Sequence, residues 1–85
     1  MSHDDVLKKV QDVIRELFDD SDIIINDETV SADIDGWDSF ETINVFVTLE
    51  ETFGIRFKMK EIPSIQNIGE LVDCIISHLS ERHHQ

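Results

Sequence analysis

The chain is short of the features that mark secreted, membrane-spanning and nucleic-acid-binding proteins. Cys74 is its single cysteine, so no internal disulfide can form, and we expect an intracellular, cytoplasmic protein. No apolar run approaches the roughly 20 residues of a membrane span, and the polar, acidic N-terminal residues do not resemble a signal peptide. The formal net charge of −12 argues against nucleic acid and anionic membranes as partners.

Positive charge is missing from one continuous stretch of the chain. From Glu16 to Ile55, a stretch we call the acidic block, there are twelve Asp or Glu residues and no Lys or Arg. The block accounts for the whole net charge, because the seven acidic residues outside it are matched by seven basic ones. It is either a solvated face that favours solubility or a docking surface that attracts a basic protein partner.

The spacing of apolar residues predicts an all-α protein. Residues 1–85 make one small domain with a modest core, and 83–85 are expected to form a frayed tail. Apolar residues recur every three or four positions, which is the period of an amphipathic helix. We expect a small bundle of three main helices and one short helix or turn, over about Asp4–Phe18, Ser39–Phe53, Asn67–Leu79 and, for the short one, Arg56–Ile62.

A long first loop, Asp19–Trp37, joins the first two predicted helices. Connections of this length are uncommon in compact domains unless they pack or function. Ile23 to Ile25 could form a strand, but no second convincing strand is present to pair with it, so we expect an extended loop. Apolar side chains should pin the loop to the core, namely Ile23, Ile24, Ile25, Val30, Ile34 and Trp37.

One serine stands at the start of the second predicted helix. Asp38 and Glu41 have the spacing of a capping box, which places Ser39 in the first turn. Its hydroxyl should point outward from the positive end of the helix, where a phosphate is well tolerated. Gly54 suits a left-handed cap at the other end of this helix.

The same helix carries apolar residues on two faces. One stripe suits the core and consists of Val45, Phe46, Leu49 and Phe53. A second stripe, the outer stripe, consists of Phe40, Ile43 and Val47 and begins beside Ser39. We predict that the outer stripe faces a protein partner, with burial under the long loop as the alternative.

Together these features resemble the acyl carrier protein family. Asp38-Ser39-Phe40 is similar to the family's Asp-Ser-Leu attachment motif, with Phe in place of Leu. Leu49-Glu50-Glu51-Thr52-Phe53 resembles the family's Leu-Glu-Glu-x-Phe at the end of the same helix. Thr29–Ile34 and Ile65–Ile76 resemble the family's approach to the attachment site and its closing helix, so the resemblance covers essentially the whole chain.

The resemblance implies a carrier of acyl groups that is not itself an enzyme. A phosphopantetheinyl transferase would attach 4′-phosphopantetheine from coenzyme A to Ser39, and the thiol of this arm would hold an acyl group as a thioester. Asp38 would help position the transferase and its metal. Basic docking surfaces of acyl-loading and acyl-using enzymes would contact Phe40, Glu41, Ile43, Val47 and Glu50. The carrier is expected to be a monomer.

From the residues themselves we expect no catalytic or metal site. No nucleophile, base and orienting group can be assembled from the sequence, since the histidines lie near the termini. The acidic residues around Gly36 do not fit an EF-hand, because Ser31 and Thr42 stand where Asp and Glu are needed. Cys74 is expected to be a small residue at the boundary of the core.

Departures from the family pattern favour a specialised, free-standing carrier over one of housekeeping fatty-acid synthesis. The approach Ile34-Asp35-Gly36-Trp37-Asp38-Ser39 is one residue longer than usual and contains a tryptophan. Trp37 should anchor the loop, with shielding of the arm as the alternative. Asn44 stands where fatty-acid carriers are often acidic, and positive charge follows the helix at Arg56, Lys58 and Lys60.

Two other functions stay open. A free-standing aminoacyl or peptidyl carrier shares the fold and the arm, although such carriers tend to show Gly-Gly-x-Ser and less negative charge. An unmodified helical adaptor would use the outer stripe without any arm. Binding that survives Ser39→Ala but is lost with Phe40→Ala or Ile43→Ala would distinguish the adaptor.

Overall fold

Three α-helices of fifteen residues each form the framework of the part of the chain that the structure describes. The computed structural model describes residues 2–82, with the backbone alone for Arg82, so the predicted tail at 83–85 lies outside the described residues. Helices α1, α2 and α3 span His3–Leu17, Ser39–Phe53 and Ile68–Arg82. Helix α1 packs against both of the others. The predicted all-α fold is confirmed, since residues 2–82 contain helices and turns and no strand.

Each helix buries one apolar stripe in a shared core. The stripe predicted for α2 is confirmed, because all four of its members are at most 8% exposed. The buried residues of the three helices are Val6, Val10, Val13 and Ile14 of α1, Val45, Phe46, Leu49 and Phe53 of α2, and Ile68, Leu71, Val72 and Ile75 of α3. Within residues 2–82, no helix is long and apolar enough to cross a membrane.

Side-chain caps fix where α1 and α3 begin. Ser2 Oγ accepts from the Asp5 N–H at 3.2 Å, and the Asp5 carboxylate accepts from the Ser2 N–H at 3.4 Å, which is a complete capping box. Asn67 Oδ1 accepts from the Glu70 N–H at 2.8 Å in the same way. Both caps satisfy N–H groups that a helix start leaves without intrahelical acceptors.

The long loop is held by both of the helices it crosses. The Ile25 N–H donates to Gln11 Oε1 of α1 at 2.9 Å. At the other side, the Gly69 N–H of α3 donates to the Asp27 carbonyl at 2.9 Å. A side chain at Gly69 would place its Cβ 3.0 Å from Asp27 atoms, so glycine permits this close approach.

Most of the apolar loop residues pack as predicted, but Ile24 does not. Ile25 and Ile34 are buried, and Ile23 and Trp37 are partly buried against the core. The prediction that Ile24 anchors the loop is wrong, since its side chain is 78% exposed. Neighbouring side chains of an extended backbone point to opposite sides, so packing Ile23 and Ile25 leaves Ile24 outside.

The predicted short helix or turn at Arg56–Ile62 is a turn, closed by the Glu61 N–H, which donates to the Lys58 carbonyl at 2.9 Å. The chain after α2 is irregular, and a 3-10 turn forms later, at Ile62–Ser64, with Pro63 inside it. Ile55 and Phe57 are both buried, and this alternation is that of an extended segment. Proline fits the first positions of a helical turn because the N–H it lacks has no intrahelical acceptor there.

Candidate functional site

The loop that leads to Ser39 is turned by Gly36 and anchored by Trp37. Gly36 has a φ of +86°, which side chains other than glycine rarely adopt. Trp37 then stacks on Phe18, with ring centroids 5.6 Å apart, and its Nε1 donates to Thr42 Oγ1 at 2.7 Å. The predicted anchoring role of Trp37 is confirmed, and the hydrogen bond joins the loop to the first turn of α2.

Asp38 caps α2, but the predicted capping box is only half formed. Asp38 Oδ1 accepts from the Glu41 N–H at 2.8 Å, as the spacing predicted. The return bond from Glu41 was wrongly expected, because Glu41 Oε1 accepts from Asn44 Nδ2 at 2.7 Å instead. Asn44, which departs from the family pattern, therefore holds the Glu41 carboxylate against the side of the helix.

Ser39 is the first residue of α2 and is exposed. The first turn of a helix presents N–H groups without intrahelical acceptors and carries partial positive charge. The described histidines, His3 and His78, pair instead with carboxylates of other segments. The site can therefore present a hydroxyl and receive a negatively charged group.

The outer stripe lies open on α2, directly beyond Ser39. Phe40 is 71% exposed, Ile43 64% and Val47 46%. The alternative that the long loop covers this stripe is therefore wrong. That the outer stripe binds a partner stays a prediction. The exposure of its three apolar side chains supports this prediction.

The two acidic residues predicted to contact partners, Glu41 and Glu50, have internal bonds as well. Both are half-buried. Glu41 is held by Asn44, and Glu50 Oε2 accepts from the Phe57 N–H at 2.9 Å, which secures the chain as it leaves α2. A substitution at Glu50 therefore affects the fold as well as any docking surface.

Known proteins that resemble the chain are carriers. No family model matches it. It is 33% identical over 79 residues to the acyl carrier protein of Lactobacillus johnsonii, covering 92% of this chain and 98% of that protein. The chain belongs to the acyl carrier protein family.

Two further matches agree with this assignment. The mitochondrial acyl carrier protein of Saccharomyces cerevisiae is 34% identical over 83 residues, covering 92% of this chain and 66% of that protein. The solution structure of holo acyl carrier protein from Geobacter metallireducens has a TM-score of 0.88 at 32% identity, covering 94% of this carrier and 92% of that chain. The predicted carrier function is confirmed.

Beside α2, the carrier has a small and largely apolar cavity. Its volume is about 110 Å³. The residues that line it include Trp37, Phe46, Ile62, Ile65 and Leu71. Trp37 is thus part of the cavity wall as well as an anchor of the loop.

The structure describes few ion pairs that could neutralise the negative charge of the carrier. Among the side chains that the structure describes, every ion pair within 4.0 Å involves His3 or His78, whose partners are Asp27, Asp73, Glu61 and Glu81. No lysine or arginine of that part of the chain pairs with a carboxylate. Repulsion within the acidic block is therefore reduced mainly by solvent and salt.

We expect salt to stabilise the carrier for this reason. Raising the concentration of an alkali chloride shortens the Debye length from about 10 Å at 0.1 M to about 3 Å at 1 M, which screens the carboxylates from one another. The melting temperature, followed by circular dichroism, should rise over this range. A flat or falling melting temperature would show that the carboxylates do not repel one another appreciably in the folded state.

One cluster of functional side chains was missed by sequence reasoning. Glu61 Oε1 lies 2.8 Å from His78 Nε2, and the Cys74 Sγ donates to Glu61 Oε2 at 3.5 Å. The backbone N–H of Lys58 and the His78 side chain lower the pKa of Glu61. Burial and the Glu61 carboxylate raise the pKa of the Cys74 thiol to about 11. Cys74 is half-buried at the boundary of the core, as predicted.

The spacing of Cys74 and His78 was the one signal of this cluster in the sequence. Residues four apart on a helix share a face. Glu61 could not be added, because it lies outside α3 and the sequence did not predict where the segment before the 3-10 turn lies relative to that helix. The cluster of Glu61, Cys74 and His78 is called the α3 cluster below.

Proposed function

We propose that Ser39 is the attachment residue for 4′-phosphopantetheine and that the carrier holds its acyl group as a thioester on the thiol of this arm. The observation that carries the proposal is an exposed serine, directly after the capping residue Asp38, at the open end of α2. In a chain of the acyl carrier protein family, an exposed serine in this position supports attachment of the arm there.

The residues present at the start of α2 fit a phosphodiester. The oxygen of Ser39 would become the ester oxygen, and the positive end of the helix favours the phosphate. Asp38 Oδ1 accepts from the Glu41 N–H. The start of a helix has further N–H groups without intrahelical acceptors, and these can interact with a phosphate. When attached, the arm would supply the thiol that carries acyl groups. Ser39 and the start of α2 would hold the phosphate of the arm.

The carrier accepts the arm rather than catalysing its attachment. Ser39 Oγ forms the new bond to phosphorus, the pyrophosphate bond of coenzyme A breaks, and adenosine 3′,5′-bisphosphate leaves. A base on the phosphopantetheinyl transferase takes the hydroxyl proton. Asp38 is exposed, and we expect its carboxylate to help position the transferase and its metal.

Partner enzymes would dock on α2 beside the arm. The outer stripe offers apolar contact, and the acidic block attracts a basic docking surface and speeds association. Glu41 and Glu50 lie on the same helix and add charge to this surface. We propose that this carrier is a cytoplasmic monomer. Dedicated partners are proposed because the longer approach with Trp37, and Asn44 in α2, depart from the usual family pattern.

The attachment reaction tests the proposal directly. The unmodified carrier, coenzyme A and a broad-specificity phosphopantetheinyl transferase should give a single mass increase of one arm in intact-protein mass spectrometry. The absence of any increase with several different transferases would count against the proposal and would favour the unmodified adaptor.

The outer stripe gives a second prediction, which separates docking from stability. Phe40→Ala and Ile43→Ala should each weaken binding to the transferase by roughly tenfold, because a buried apolar contact would be lost from the interface. Their free energies of unfolding should change by less than about 0.5 kcal/mol, since both side chains are largely exposed. Binding titrations measure the change in affinity for the transferase, and chemical denaturation measures the change in the free energy of unfolding.

A matched control for this prediction is Ile24→Ala. Ile24 is a comparably exposed aliphatic residue that lies on the long loop and not on α2. Its replacement should leave transferase binding unchanged. Equal losses for Ile24→Ala and Ile43→Ala would mean that the outer stripe is not the docking surface.

A further inference from the structure

The α3 cluster brings three different metal-ligating side chains to one point. One ligand atom from each of Glu61, Cys74 and His78 lies within 4.8 Å of the other two. Cys74 and His78 share one face of α3, and Glu61 reaches them from the segment that leads into the 3-10 turn at Ile62–Ser64. All three residues are partly buried, so the cluster is neither an exposed acidic patch nor an isolated cysteine.

The neighbours of the cluster hold two of these ligands in place. The Lys58 N–H donates to Glu61 Oε1 at 2.7 Å, so the carboxylate is fixed through one oxygen while Oε2 faces Cys74. His78 directs Nε2 at the cluster, and its Nδ1 lies 3.7 Å from Glu81 Oε2. A carboxylate beside the second ring nitrogen is the arrangement that orients histidine ligands of metals.

Thiolate, imidazole and carboxylate together suit Zn²⁺. Zinc binds all three, with bonds of about 2.3 Å to sulfur and about 2.0 Å to nitrogen and oxygen, which sets tetrahedral donor atoms roughly 3.3 to 3.6 Å apart. The distance from Cys74 Sγ to Glu61 Oε2, 3.5 Å, already has this length. His78 Nε2 lies 2.8 Å from the other oxygen, Oε1, so with Oε2 as the zinc ligand the imidazole has to shift toward that oxygen. Calcium and magnesium prefer oxygen ligands and do not fit this set.

We propose that Glu61, Cys74 and His78 form a three-ligand Zn²⁺ site in this carrier, independent of the arm on Ser39. On binding, the Cys74 Sγ–H bond is replaced by an Sγ–Zn bond, and its proton goes to solvent. His78 and Glu81 also line a groove of about 800 Å³ beside the C-terminal half of α2. The fourth coordination position would be taken by water from this groove, as in zinc sites with three protein ligands.

Bound zinc would tie the segment before the 3-10 turn to α3. Without metal, that segment is linked to α3 through two hydrogen bonds to Glu61. Zinc that binds the folded state alone would stabilise the carrier by mass action. Bound metal would therefore make the segment before the 3-10 turn and the adjoining part of α3 more rigid.

Titration with Co²⁺ as a spectroscopic substitute for zinc tests the proposal. The carrier should carry Ser39→Ala, so that no thiol of an arm is present, and His83→Asn with His84→Asn, so that neighbouring histidines outside the described residues cannot bind metal. Cys74 is then the only thiol. One equivalent of Co²⁺ should produce a thiolate-to-cobalt charge-transfer band in the near ultraviolet, and Zn²⁺ should abolish the band.

Single replacements in this background assign the ligands. Cys74→Ser should remove the band, and Glu61→Gln and His78→Asn should each weaken the apparent affinity for Co²⁺ by at least about tenfold. The control Asp12→Asn, which removes an exposed carboxylate from α1, should leave the affinity unchanged. Circular dichroism of each variant checks that it is folded.

Two results would overturn the proposal. The first is a titration without a charge-transfer band in the parent, which does not depend on the folding of any variant and would leave the α3 cluster as a hydrogen-bonded network. The second is a band whose affinity is the same in folded Glu61→Gln and His78→Asn variants, because the thiol would then bind metal without its two neighbours.

Discussion

Ser39→Ala should abolish attachment of 4′-phosphopantetheine and, with it, all loading of the carrier with acyl groups. Alanine lacks the oxygen that forms the ester to phosphorus, so the loss is complete and not a matter of affinity. The helix itself should persist, because its cap is the Asp38 side chain and not Ser39. Intact-protein mass spectrometry after incubation with coenzyme A and the transferase measures the result.

Ser31→Ala is the matched control for this experiment. Ser31 is also an exposed serine of the acidic block, and it begins the 3-10 turn at Ser31–Asp33 in the long loop. Its replacement should leave the mass increase unchanged. A mass increase that survives in Ser39→Ala, or that disappears in a folded Ser31→Ala variant, would place the arm elsewhere and remove the basis of the proposed function.

Leu49→Ala should destabilise the carrier far more than any replacement on the outer stripe of α2. Leu49 is fully buried in the core stripe of the same helix. Removing a buried leucine side chain costs about 2 to 5 kcal/mol through lost burial and the cavity left behind. Small domains are stable by only about 5 to 15 kcal/mol, so the variant should lose a large part of its stability.

Denaturant unfolding of Leu49→Ala beside Ile43→Ala measures this effect. The two residues lie on the same helix, but Ile43 is 64% exposed, so its replacement should change the free energy of unfolding by less than about 0.5 kcal/mol. A cost below about 1 kcal/mol for Leu49→Ala would mean that α2 does not bury its core stripe in solution.

The sequence predicted α2 most accurately because several local signals agree there. Asp38 caps the start, Gly54 adopts a φ of +65° after the end, and the apolar residues between them have helical spacing. The structure places the helix over Ser39–Phe53, as predicted. The exposed and buried faces of α2 could be separated by the same spacing, so the outer stripe was also found.

The errors lie where contacts between distant segments decide the structure. Ile24 has the same side chain as Ile23 and Ile25, and only the path of the loop over the core determines which of the three is exposed. The segment after α2 was predicted as a short helix or turn, and the structure gives it first an extended stretch. In that stretch Phe57 is buried edge-on against Phe46, with ring centroids 5.0 Å apart. Tertiary packing outweighs local preference in both places.

The candidate site was predictable in one part and not in another. Asp38 and Ser39 are neighbours in sequence, so a local motif could identify them. The α3 cluster joins Glu61 to residues 13 and 17 positions later, which no local pattern could bring together. Finding it required the position of the segment before the 3-10 turn relative to α3.

Mass spectrometry of the protein purified from its own host shows whether Ser39 carries the arm in the cell. We expect a 4′-phosphopantetheine ester on the fragment that contains Ser39, and in part of the molecules an additional mass on the arm, which is the natural cargo. Protein from the same host whose Ser39 is unmodified in every molecule would contradict the proposed function.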